Sequence, residues 1–213
     1  MSRQKEFLLR QEADAWYARN REHLEQESFV DTLLFQAIDD LPKRPKRLLE
    51  VGCSSGIRLE RLQKHTQGEC YGIDPSSLAI AAGKERTPLV HLTEGTADSL
   101  PYPDDFFDFI WFGFCLYLCD RSLLFQIAKE SDRVLRVNGA IVILDFDPPC
   151  ALRNPYAHTD EPIFAHKMDH STMFTWHPQY ILSAKRALTH AAPHFDFRPD
   201  ERLSFVTIIK VPE

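Results

Sequence analysis

The sequence has no apolar run approaching the roughly twenty residues that a membrane span needs. Its opening stretch, MSRQKEFLLRQEADAW, is heavily charged and carries no apolar signal core. No membrane association and a cytoplasmic location are therefore expected. Cysteine is scarce: Cys53, Cys70, Cys115, Cys119 and Cys150 are an odd number at irregular spacing, which argues against a disulfide framework. No CxxC pair or Cys/His cluster accompanies Cys115 and Cys119, and a structural zinc usually takes four ligands, so no metal is expected. Positive charge is in deficit, with 25 Lys and Arg against 31 Asp and Glu and a formal net charge of −6. Such a chain repels nucleic acid unless a local basic patch compensates. The densest basic stretch, PKRPKR at 42–47, precedes an apolar strand and reads as a solvated connector. There is no internal repeat and no low-complexity segment.

What is present is an alternation of short apolar segments and helical ones. Residues 3–27 read as a largely polar helix with Trp16 and Tyr17 on it. Phe29 to Leu41 reads as a second helix with Val30, Leu34, Ala37, Ile38 and Leu41 on one stripe, ended by Pro42. Strands are expected at 47–51, 70–73, 89–92, 109–114 and 140–146, with helices at 57–64, 78–84 and 122–136 between them. Ser76 and Ser77 can cap the helix over 78–84, and Asn138-Gly139 can stop the one over 122–136. Continuously apolar strands separated by helices imply a parallel sheet covered on both faces, the α/β doubly wound class. Residues 202–211 alternate as a further strand. The stretch 147–180 is rich in Pro, His and aromatics and too long for an ordinary connection, so it reads as a functional insertion. The chain is thus expected to be one domain: an N-terminal helical lid (1–41), a core (42–146), a substrate cap (147–180) and C-terminal strands (181–213).

The first strand runs into Glu50-Val51-Gly52-Cys53-Ser54-Ser55-Gly56, a strand, tight turn and helix start. Gly52 and Gly56 allow close backbone approach to a ligand, and ligands of open parallel sheets sit beyond the carboxyl ends of the strands. The second strand ends at Asp74 before Pro75. An acid there can accept hydrogen bonds from ribose hydroxyls, or cap the next helix. After the third strand, Gly95-Thr96-Ala97-Asp98-Ser99 offers Asp98 to an adenine amino group, or as a turn carboxylate. A nicotinamide dinucleotide site is disfavoured. Counted from Gly52, its G-x-G-x-x-G fingerprint needs glycine at 54 and 57, where this chain has Ser54 and Ile57.

LLEVGCSSG, YGIDPSS, GTADSLPYPDDFFDFIWFGF and LRVNGAIVILDF resemble, in order and spacing, the motifs of Rossmann-like (class I) S-adenosylmethionine-dependent methyltransferases over about residues 47–146. The resemblance implies S-adenosyl-L-methionine as cofactor. It places the turn Gly52–Gly56 beside the methionine part, Asp74 on the ribose and Asp98 on adenine. The expected cofactor set is Glu50, Gly52, Cys53, Ser54, Gly56, Asp74, Pro75, Ala97, Asp98, Ser99 and Phe112, with Trp16, Tyr17 and Arg19 from the lid. Trp16 and Tyr17 can equally serve only to pack the first helix against the domain. Ser54 departs from the glycine common there. The flanks EADAWYARN, FTWHPQYILSAKRALTH and ERLSFVTIIK are similar to bacterial methyltransferases of sugar and surface-polysaccharide biosynthesis. That implies a small polar acceptor such as a sugar or sugar nucleotide. An alcohol acceptor benefits from a general base, and the insertion offers His170 first and His166 second. The competing readings are methylation of protein or RNA and a non-catalytic S-adenosylmethionine-binding protein. The oligomeric state is not legible.

Overall fold

Residues 47–51, RLLEV, form strand β1, a mostly apolar run too short for a buried helix. The structure, a computed structural model, describes residues 2–189 and 201–213. Strands β2 (Glu69–Asp74), β3 (Val90–Glu94), β4 (Phe107–Gly113) and β5 (Leu135–Phe146) join β1 in parallel. Strands β8 (Tyr180–Leu188) and β9 (Leu203–Lys210) extend the sheet antiparallel, in the order β3-β2-β1-β4-β5-β9-β8. The expected doubly wound α/β class is observed. Alternation along the strands feeds two cores: Leu48, Phe109, Trp111 and Val142 face one way, and Leu49, Ile110, Phe112 and Ile141 the other. Helix α3 (Phe29–Asp39) precedes β1, and α4 (Ile57–Thr66), α5 (Ser77–Arg86) and α6 (Leu124–Val134) lie between the parallel strands in sequence.

Three expectations about elements are corrected. The single N-terminal helix is divided: α1 (Arg3–Phe7), a π-helical turn (Leu8–Glu12) and α2 (Ala13–Leu24). The helix expected over 122–136 ends at Val134, because Leu135 already pairs with Phe107 in the sheet. Asn138, at φ +66°, lies in a register shift inside β5 and does not terminate a helix. The insertion holds structure of its own: a hairpin of β6 (Leu152–Pro155) and β7 (Phe164–Lys167), then the short helix α7 (Thr172–Thr175). The part of the expected C-terminal segment at 190–200, including His190, lies outside the described residues. No described helix is long and apolar enough to cross a membrane.

Candidate cofactor and acceptor site

At the carboxyl end of β1 the chain turns back at Gly52, whose φ is +76°. The Gly52 and Cys53 amides both donate to the Ile73 carbonyl, at 2.8 and 3.3 Å. A Cβ on Gly52 would lie 2.8 Å from Cys115 Cβ, so only glycine fits. Ser54 follows at φ +50°, a left-handed conformation that costs a non-glycine residue about 1–2 kcal/mol. Its amide donates to Asp74 Oδ2 at 2.7 Å, while the Ser76 amide donates to Asp74 Oδ1 at 2.8 Å. Asp74 therefore clamps the first turn to the start of α5. Burial, against those two donors, pushes its carboxyl up to about 6. Ser76 caps α5 by accepting from the Ala79 amide, and its hydroxyl donates to Asp14 of α2 at 2.6 Å.

These turns floor a cavity whose walls enclose about 950 Å³, the open mouth included. Gly52, Ile73, Asp74, Pro75, Ala97 and Asp98 line its base; Gly113, Phe114, Cys115, Leu118 and Cys119 line one side. Lys5, Leu8, Glu12, Ala13 and Trp16 of the N-terminal helical segment line it too. Lys5 Nζ lies 2.6 Å from Asp98 Oδ2. Glu12 is almost wholly buried and accepts from both Arg19 and the Tyr156 hydroxyl. A second chamber, sharing Trp16, Gly52, Gly113 and Phe114 with the first, is lined by Cys53, Ser54, Ser55, Arg58 and Trp111. In its wall, Ser54 Oγ is buried without a protein hydrogen-bond partner. Buried polar atoms usually have one, so the chamber suits a ligand with polar groups at that end.

Gly52, Asp74, Pro75, Ala97, Asp98 and Trp16 thus meet in one cavity, and Cys53 and Ser54 in the adjoining chamber. The remaining expected residues do not line either. Phe112 is wholly buried in the core beside Val51, because the strand's alternation turns it from the cavity. Gly56 starts α4 against Leu92. Glu50 is buried and bonded to Arg58 at 2.9 Å. The Ser99 amide closes a turn to Thr96, Arg19 reaches Glu12, and Tyr17 is outside both linings. His170 is buried with neither ring nitrogen bonded, and burial lowers it to about 4; His166 lines a separate groove. The geometry gives no support to either histidine as a base. Lys5, Leu8, Glu12 and Cys115 were not expected, although Lys5, Leu8, Glu12 and Trp16 recur at three- and four-residue intervals, a helical stripe visible in sequence. Among the described residues no group of three or more His, Cys, Asp or Glu is placed to hold a metal ion.

A mostly parallel sheet with a glycine turn after β1 and acids after β2 and β3 defines a Rossmann-like α/β architecture. Residues 49–143 match the family described as a methyltransferase domain. The demethylmenaquinone methyltransferase of Staphylococcus saprophyticus is 35% identical over 115 residues, 50% of this chain and 47% of that one. The chain thus spans about half the length of the curated relatives it matches. Among solved structures, a SAM-dependent methyltransferase from Methanosarcina mazei superposes with a TM-score of 0.64 at 20% identity, over 83% of this chain and 97% of that one. Geranyl diphosphate methyltransferase in complex with SAM gives 0.65 at 14% identity, over 87% and 86%. These neighbours have the fold that the motifs implied. The likeness of the flanks to polysaccharide methyltransferases has no counterpart in these relatives.

Proposed function

We propose that this chain transfers a methyl group from S-adenosyl-L-methionine to a small-molecule acceptor. The observation that carries the reading is the convergence of the Gly52 turn, Asp74 and Asp98 on one cavity, within the segment that matches a methyltransferase domain. Asp74 would accept the ribose hydroxyls and Asp98 the adenine amino group. Ser54 Oγ would meet the polar methionine end. Bound there, S-adenosylmethionine supplies a sulfonium methyl, whose transfer breaks the sulfur–carbon bond and joins the carbon to the acceptor's nucleophile as the acceptor loses its proton. Leu8, Ala13 and Trp16 would exclude water and fix the line of approach. With neither histidine in the wall, Glu12 is the carboxylate placed to take that proton, its Oε1 held by Arg19 and Tyr156. The acceptor proposed is polar, a sugar or sugar nucleotide.

Calorimetry with S-adenosylhomocysteine tests the reading. Binding near the micromolar level, about −8 kcal/mol, is expected. No heat with this ligand, but heat with a nicotinamide dinucleotide, would overturn it.

A further inference from the structure

Beside the cavity, and sharing Asp120 with it, an open groove runs between the start of α1 and the β6–β7 hairpin. Its walls present the guanidinium groups of Arg3, Arg121 and Arg153 and the imidazole of His166. Among the described residues Asp120 is the one carboxylate lining it, and that group already accepts from the Ser122 amide and hydroxyl. This is a local excess of positive charge in a chain whose formal net charge is −6.

Arg153 and His166 are direct cross-strand partners in the antiparallel hairpin, so the imidazole faces a cation. Arg153 is held flat over the Phe164 ring, 3.6 Å from its centroid, so its fork is pre-set. Among the described residues neither Arg121 nor Arg153 forms an ion pair, and Arg3 reaches Glu161 only at 3.6 Å across an exposed face. Burial, then Arg153 and Arg121, hold His166 below its ordinary value against the opposing pull of Asp120.

We propose that this groove binds a phosphoryl group, and that the acceptor methylated in the adjoining cavity carries it. The acceptor half rests on the methyltransferase reading above. Guanidinium forks match phosphate oxygens two at a time. Two uncompensated guanidiniums balance a doubly charged phosphate or a diphosphate, whereas a carboxylate would leave one of them unmatched.

Inorganic pyrophosphate is the probe, added to the full chain and followed by calorimetry and by the imidazole resonances of His166. Saturable binding at or below about 1 mM is expected, with the His166 pKa rising on saturation. The double variant Arg121→Ala/Arg153→Ala should weaken binding at least about tenfold while leaving S-adenosylhomocysteine affinity within about threefold. No saturation, equal affinity in the variant, or the same His166 shift with chloride at matched ionic strength would overturn the site. Pyrophosphate binding without S-adenosylhomocysteine binding would instead remove the methyltransferase reading and keep the groove. With labelled S-adenosylmethionine, sugar phosphates and sugar nucleotides should be methylated in preference to their dephosphorylated forms, and the double variant should erase the preference. Equal turnover of both forms overturns the acceptor half.

Discussion

Lys5 Nζ sits 2.6 Å from Asp98 Oδ2, so the acid expected to receive adenine is bonded to the N-terminal helix. Both side chains are mostly buried in the cavity wall. If Asp98 binds the adenine amino group, Asp98→Ala should weaken S-adenosylhomocysteine at least about tenfold, and Lys5→Met should change it by less than about threefold. Calorimetry on the two variants decides. Equal losses would mean that Lys5 itself meets the ligand and that the pair acts as one unit.

Asp74 accepts two buried backbone donors, from Ser54 and Ser76. Read as a ribose acceptor alone, Asp74→Ala should cost affinity and little stability. The structure changes that expectation: orphaning both amides should cost roughly 1–3 kcal/mol of folding stability, beside roughly 2–3 kcal/mol of cofactor affinity. Urea unfolding and calorimetry on one sample read the two losses separately. A variant as stable as the parent would show that water replaces the carboxylate on both amides.

Strands β1 to β5 were legible because each carries an apolar or alternating segment beside a turn signal, and the Gly52, Asp74 and Asp98 positions followed from where those segments end. What the sequence leaves open needs the third dimension. Phe112 ends the apolar run 109–112 within FDFIWFG, so its inward direction is set by the pleat and not by the residue types around it. Leu135 belongs to a helical pattern locally, yet pairing with Phe107 draws it into the sheet. The histidines of the insertion were attractive as a group of bases, but the β6–β7 hairpin turns His166 to a groove and the turn before α7 buries His170.

Glu12→Gln tests the proton-accepting role. The amide should keep the bonds to Arg19 and Tyr156 in part, so stability and S-adenosylhomocysteine affinity should stay near parental. Turnover of an alcohol acceptor should fall by about 10²-fold or more. Parental turnover with an unchanged pH profile would remove Glu12 from the chemistry.

His170 is buried, lacks partners on both ring nitrogens and is lowered to about 4 from an ordinary value of 6.5. A base whose pKa is depressed on folding contributes stability that is present above 6.5 and is lost as pH falls towards 4. The loss attributable to this side chain approaches about 3 kcal/mol at the acid end. His170→Leu should match or exceed the parent at pH 7.5, since it also removes two unsatisfied nitrogens. It should also lose less stability than the parent between pH 6.5 and pH 4. Chemical denaturation across that range measures the difference, and parallel curves would show that the imidazole reaches water.

Arg58 holds two carboxylates at once, Glu50 Oε1 at 2.9 Å and Asp31 Oδ1 at 3.0 Å, and so ties β1 and α3 to α4. Burial raises Glu50 to about 7 even with Arg58 opposing it. Removing the cation would leave a buried carboxylate uncompensated, so Arg58→Met should destabilise the fold by roughly 3–5 kcal/mol near neutral pH. The pH dependence has a definite sign. Without Arg58 the Glu50 pKa rises further above its unfolded value, so the group's contribution is greatest at low pH and is lost as pH rises. The Arg58→Met deficit should therefore be smaller at pH 5 than at pH 8. Adding Glu50→Gln to Arg58→Met should recover part of the loss and flatten this pH dependence, because the neutral amide needs no countercharge. Urea midpoints of parent, single and double variants at the two pH values provide the comparison. A deficit independent of pH, or no recovery in the double variant, would mean that the lost packing of the arginine stem against its neighbours outweighs the electrostatics.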